Sequence, residues 1–193
     1  MADASNLNVL IICGSLRKGS FNAMVANTLP SLAPAGMKIA RSPTIEMPLY
    51  NADVQNEQGF PAPATALADA VRAADGLVIV TPEYNYSLPG VLKNAIDWVS
   101  RPLSETAFKG KPVAAMGAAT GNFGTVRAQV ELRQILVSVG AYQLVKPELL
   151  VYSAAGRFDE TGRLIDESTR LLLAELIEAL VAWARQLTQR HRS

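Results

Sequence analysis

Short apolar runs alternate along this chain with amphipathic stretches of helical period, and that alternation carries the prediction of its fold. Val9 to Cys13 reads as a first strand buried on both faces, followed by a helix over Phe21 to Leu32. Met37 to Ser42 is a weaker second strand, in which apolar and basic residues alternate. Residues 43 to 63 carry Pro43, Pro48, Gly59, Pro61 and Pro63 and read as a long irregular connection. Ala64 to Ala74 is a second helix with Leu67, Val71 and Ala74 on one stripe, and Gly76 to Thr81 is the cleanest strand. A third helix opens at Pro89-Gly90, where proline suits a first turn, and runs through Val99. Pro112 to Met116 is a fourth strand, and Val126 to Val139 a fourth helix ended by Gly140. Tyr142 to Tyr152 contains a fifth strand, interrupted near Pro147. Ser168 to Arg190 is a long last helix with Leu173, Ile177, Leu180, Trp183 and Leu187 along its buried face.

Strands and helices alternating in this way predict a three-layer α/β/α domain around a five-stranded parallel sheet of order 2-1-3-4-5. No repeat or second domain interrupts residues 1 to 193. In such a sheet ligands sit beyond the carboxyl ends of the strands, at the switch point between strands 1 and 3. The chemically distinctive loops of this chain follow strands 1, 3 and 4, so the topology brings them to one edge.

The first of these loops, Gly14 to Asn22, joins a strand to a helix and is small and polar. Exposed N–H groups at a helix start favour an anion. Ser15, Ser20 and Asn22 add neutral donors and Arg17 a charge-assisted one, which suits a phosphate. An ordinary polar loop with a solvated Arg17 is the plainer alternative. The second loop carries Pro82, Glu83, Tyr84, Asn85 and Tyr86. Two flat phenols beside an amide suit a planar heteroaromatic ring, or else packing against the protein itself or a partner subunit. Glu83 reads as a local anchor or helix-side cap rather than an acid or base. The third loop, with Ala118, Ala119, Thr120 and Gly121, lets backbone approach a ligand closely. Its N–H groups suit the side of a ring that becomes negative on reduction.

The composition narrows the setting. The 193 residues are 49% hydrophobic and 18% charged, with a formal charge of +1, which argues against nucleic acid as a partner. The lone Cys13 excludes an intrachain disulfide framework and fits a reducing compartment. With His191 the one histidine, no metal site is expected. Met1 to Asn6 lacks the basic start and apolar core of a signal peptide, and no apolar run is long enough to span a bilayer. A cytoplasmic protein with no membrane partner is the expectation.

Five stretches together resemble the NAD(P)H-dependent FMN reductase family of flavodoxin-like proteins, and within it the bacterial quinone reductase and chromate reductase branch. They are Gly14 to Asn22, Leu49 to Asp53, Thr81 to Ser87, Pro89 to Trp98 and Leu132 to Leu136, in order and at the family's spacing. The resemblance implies bound FMN, with its phosphate on Ser15, Arg17, Ser20 and Asn22 and its ring along Pro82, Glu83, Tyr84 and Asn85. It places Ala118, Ala119, Thr120 and Gly121 on the pyrimidine side, where relatives often have serines in place of Ala118 and Ala119. It also implies NADPH or NADH as donor and a two-step, ping-pong hydride transfer to quinones, free flavin, azo compounds or chromate, with no side chain as catalytic acid or base. Family members are homodimers, with the Tyr50 loop and the Trp98 helix as expected contact surfaces. A homotetramer would use Arg127 and Glu148, although a tyrosine that accompanies them in relatives is Val130 here.

Three other classes use related sheets. A low-molecular-weight phosphatase needs arginine six positions after its cysteine, where this chain has Gly19 and Arg17 comes too early. Cys13 is instead expected to pack as a small buried residue. A flavodoxin-type electron carrier is strongly acidic, unlike this chain. A dinucleotide-binding domain needs Gly-x-Gly-x-x-Gly after strand 1 and an acidic residue after strand 2, where Arg41 and Ser42 stand.

Overall fold

A computed structural model describes residues 7–190; Met1 to Asn6 and His191, on which two of the expectations rest, lie outside the described residues. The centre of the molecule is a parallel sheet whose strands are apolar because both faces are covered. Strand β1 (Leu7–Cys13) is buried except at Asn8, and β3 (Gly76–Val80) and β4 (Pro112–Ala118) are buried throughout. Strand β2 (Met37–Arg41) lies at the edge and keeps only Ile39 buried, which is why its sequence alternates. The order β2-β1-β3-β4 is closed by two short strands, β5 (Tyr142–Gln143) and β6 (Leu149–Val151), both paired with β4. Strand β5 pairs with Pro112 and Val113 at the start of β4, and β6 pairs with Met116, Gly117 and Ala118 at its end. The fifth position is thus shared by two pieces separated around Pro147, and among the described residues the sheet has six strands rather than five.

Helices α1 (Phe21–Thr28) and α6 (Glu167–Arg190) cover one face, and α3 (Ala62–Ala73), α4 (Gly90–Val99) and α5 (Val126–Ser138) cover the other. One core cluster gathers Leu67, Leu92, Phe108 and Leu132. The opposite one gathers Val25, Leu29, Leu176 and Ile177. Each such side chain contributes about 1.5–3 kcal/mol by leaving water. On α6 the buried stripe is Leu173, Leu176, Ile177, Leu180 and Ala184, while Trp183 and Leu187 are only half-buried. Cys13 is buried and free, as a packing residue should be.

The stretch from 43 to 63 is not wholly irregular: α2 (Ala52–Gln58) forms within it, capped by the Asn51 side chain on the Asp53 N–H. No residue of α2 is buried, so it leaves no apolar stripe to read. The segment before it is held from α4. The Asn94 amide donates to the carbonyls of Met47 and Pro48 and accepts from Tyr50 N–H, and the Trp98 indole donates to the Pro48 carbonyl. Trp98 is fully buried within its own chain, in edge contact with Tyr50 and Phe60.

The start of α6 is fixed by Asp166, which accepts from Thr169 N–H, the Thr169 and Ser168 hydroxyls and Arg157. Led by the Thr169 hydroxyl, these bonds hold its carboxyl well below the usual carboxylate range. A lowered native pKa stabilises above the unfolded value of about 4 and is lost as pH falls below it. Urea midpoints measured between pH 6 and pH 2 should therefore fall in acid, and Asp166→Asn should flatten that dependence. An unchanged slope in the variant would remove Asp166 from the account.

Candidate functional site

Three loops meet at the carboxyl edge of the sheet and line an open cleft of about 210 Å³. Its first wall is the β1–α1 loop. Ser20 is the N-cap of α1: its hydroxyl oxygen accepts from Ala23 N–H, which leaves its own proton to donate. The first-turn N–H groups of Phe21 and Asn22 have no helical partner, and both residues line the cleft. Arg17 is exposed and gives one of its five N–H groups to the Gly19 carbonyl at 2.9 Å. Ser15, half-buried, completes this wall, and Phe21 adds an apolar edge that sequence reasoning passed over.

Asn22 has a further task. Its amide N–H donates to the Ala118 carbonyl at 2.9 Å and its oxygen accepts from Ala118 N–H at 2.8 Å, all buried. The residue therefore stitches the start of α1 to the end of β4 and turns most of its amide away from the cleft. Ala119 N–H is likewise engaged, with the Val151 carbonyl at 2.9 Å. Ala118 and Ala119 thus line the cleft with small apolar surface, and the N–H groups of Thr120 and Gly121, next along the loop, carry no bond within the chain among the described residues. The loop is held from behind, since Ala154 and Ser153 donate to the carbonyls of Ala119 and Gly121.

The β3–α4 loop forms the remaining wall with Pro82, Glu83 and Tyr84. Tyr84 and Ser87 exchange both backbone hydrogen bonds at 3.0 Å around Asn85 and Tyr86, whose φ angles are 51° and 69°. This is a two-residue hairpin turn with both central residues left-handed, and it accounts for Asn85 on conformational grounds. Asn85 and Gly121 are exposed and stand outside the cleft lining.

Glu83 lines the cleft but points its carboxylate across to α5. It accepts from Arg127 N–H at 3.0 Å and Ala128 N–H at 3.2 Å, and it pairs with the Arg127 guanidinium. Burial opposes its charge, but Arg127 and the two N–H groups outweigh burial and hold the carboxyl below its ordinary range. Arg127 in turn lies 3.9 Å from the centre of the Tyr86 ring and 5.0 Å from that of Phe123. Both residues expected at a tetramer contact are engaged within the chain, Arg127 with Glu83 and Glu148 with Arg133 and Lys146.

The donor set fits a mononucleotide. One end of the cleft offers hydroxyls, helix-start N–H groups and a guanidinium with no carboxylate turned toward them. The other offers flat and small apolar surface. Among the described residues no group of three or more His, Cys, Asp or Glu is placed to hold a metal ion, and no helix is long and apolar enough to cross a membrane.

Fold and edge-sited cleft define the class, a flavodoxin-like α/β/α protein with its opening at the switch point of the sheet. Residues 7–156 match the NADPH-dependent FMN reductase family model. The chain is 52% identical over 168 residues to a quinone reductase of Escherichia coli, covering 86% of this chain and 89% of that one. It is 47% identical over 184 residues to an NAD(P)H-dependent FMN reductase of Pseudomonas aeruginosa, covering 95% and 98%. Among solved structures, the flavoenzyme NAD(P)H:(acceptor) oxidoreductase FerB of Paracoccus denitrificans superposes with a TM-score of 0.84 at 34% identity, covering 93% and 98%. The chain belongs to the NADPH-dependent FMN reductase family, on its quinone reductase branch, and is an oxidoreductase of the FMN and NAD(P)H class.

Proposed function

We propose that this chain is a cytoplasmic, homodimeric FMN enzyme that moves reducing equivalents from NADPH or NADH to quinones by a ping-pong route, with free flavin, azo compounds and chromate as further acceptors. The observation that carries this reading is the division of the cleft into a donor-only end and a flat apolar end, with its one carboxylate, Glu83, turned into α5. FMN, when bound, would supply the redox chemistry linking nicotinamide to acceptor.

The protein's part is placement. Arg17, Ser15, Ser20 and the α1 start would hold the phosphate. Pro82 and Tyr84 would flank the ring, and Ala118 and Ala119 leave it room. Thr120 and Gly121 carry the N–H groups free to stabilise charge on the ring's far edge. An open cleft beside the ring would suit donor and acceptor in turn, which is the basis for alternate rather than simultaneous binding. The homodimer is inferred from the segment before α2, where Leu49 is 82% exposed, and from α2 itself, which buries nothing within the chain.

The purified protein incubated with FMN should turn yellow, lose its visible absorption when NADPH is added under argon, and regain it on addition of a benzoquinone. Initial rates at several quinone concentrations should give parallel double-reciprocal lines. A preparation that stays colourless with FMN would overturn the reading, and converging lines would overturn the ping-pong route alone.

A further inference from the structure

We infer that Glu83 is a positioning residue that sets the width of the ring end of the cleft by capping α5 from the neighbouring loop; this rests on the mononucleotide reading above. Helix α5 has no cap of its own. Its N-cap residue, Thr125, sits at φ 74° with no capping bond, and its hydroxyl instead faces the core, where Gln129 donates to it at 3.2 Å. The α5 N–H groups that a local cap would satisfy are taken by Glu83, forty-four residues away in sequence at Arg127.

The consequence lies in what the two ends of this bond carry. Glu83 is flanked by Pro82 and Tyr84, which form one wall of the cleft. The residues leading into α5 continue from Ala118, Ala119 and Thr120, which form the other. A carboxylate bonded at once to two helix N–H groups and a guanidinium is a short, charge-assisted strut between those walls. Arg127 braces the same strut against the hairpin tip through Tyr86 and against the β4–α5 loop through Phe123. Glu83 is 8% exposed at its side chain, so the strut works in a partly dry setting. None of these contacts reaches the phosphate end, where Ser15, Arg17 and Ser20 stand on a separate loop.

The geometry therefore predicts a signature that separates this strut from the anion site. Glu83→Gln keeps shape but places an amide N–H against helix donors and guanidinium. Its dissociation constants for FMN and for riboflavin should rise by one common factor, about tenfold, the scale of one charge-assisted bond. The visible band of the flavin at saturation should lose fine structure. Arg127→Met, which keeps the bonds from Glu83 to the helix N–H groups, should shift both ligands equally but less, and it serves if Glu83→Gln fails to fold. Wild-type affinities for both flavins in Glu83→Gln, or a weakening of FMN alone, would overturn the inference while the mononucleotide reading stands. A wild-type chain that binds neither flavin would overturn both.

Discussion

Replacing Gly117 with alanine should destabilise the protein by about 3 kcal/mol or more and lower its melting temperature by roughly 10 °C. Gly117 lies in β4, paired with Leu150 of β6. A methyl group there would overlap both the Thr125 hydroxyl and the Thr81 carbonyl oxygen. Neither obstacle is the loose end of a flexible side chain. Thr81 is fully buried and its N–H is bonded to the Met116 carbonyl at 2.9 Å, while Thr125 begins α5 and is 1% exposed. Relief requires β3, β4 or the start of α5 to move, in a close-packed interior that resists such movement. Those are the elements behind two walls of the cleft, so the loss should appear in flavin affinity as well as in urea or thermal midpoints. Gly156→Ala is the matched control, since a methyl group there meets nothing within 4 Å. Equal midpoints for the two variants would show that β4 yields more easily than its packing implies.

Arg17→Ala should raise the dissociation constant for FMN by about tenfold to a hundredfold, the effect of losing roughly 1.5–3 kcal/mol of charge-assisted bonding. Riboflavin, which lacks the phosphate, should bind the variant as it binds the parent. Arg17 sits on an exposed loop and its one bond within the chain goes to a backbone carbonyl two residues on. Removing it therefore leaves no buried group stranded, and thermal stability without flavin should hold. Fluorescence quenching titrations with both flavins read the result directly. A common loss for FMN and riboflavin would place Arg17 at the ring end, and no loss for either would take it out of the site.

Much of the fold was legible in the sequence because its strands are continuous apolar runs and its longer helices each bury a periodic face. Gly76 to Val80 and Val9 to Cys13 could hardly be read otherwise, and their alternation with helices implies the sheet order. What escaped has physical causes. Helix α2 buries nothing, so no stripe marks it, and it lies among prolines. The fifth strand was read, with its break near Pro147, but its two fragments are too short to show that they pair with opposite ends of β4. At the site, the convergence of the three loops followed from topology, and the residues of the β1–α1 loop followed from their donors. The task of Asn22 did not follow, and for Glu83 a cap or anchor was legible but not the helix it caps. Each bonds across a long sequence separation to backbone, Asn22 at Ala118 and Glu83 at Arg127 and Ala128. Side-chain type alone does not reveal which backbone a polar group will meet. The missing cap at Thr125 is the one local clue, and it needs the left-handed backbone at that position to be known.

The divided last position of the sheet gives the molecule a separable ceiling. Residues 142 and 143 secure the base of β4, whereas 149 to 151 secure its top and lead straight into the turn that supports 119 to 121. Changes in the span between Tyr152 and Asp166 can thus remodel one rim of the opening while the foundations laid by β5 stay in place. Such an arrangement lets the shape of the opening drift without demanding that the whole framework be rebuilt.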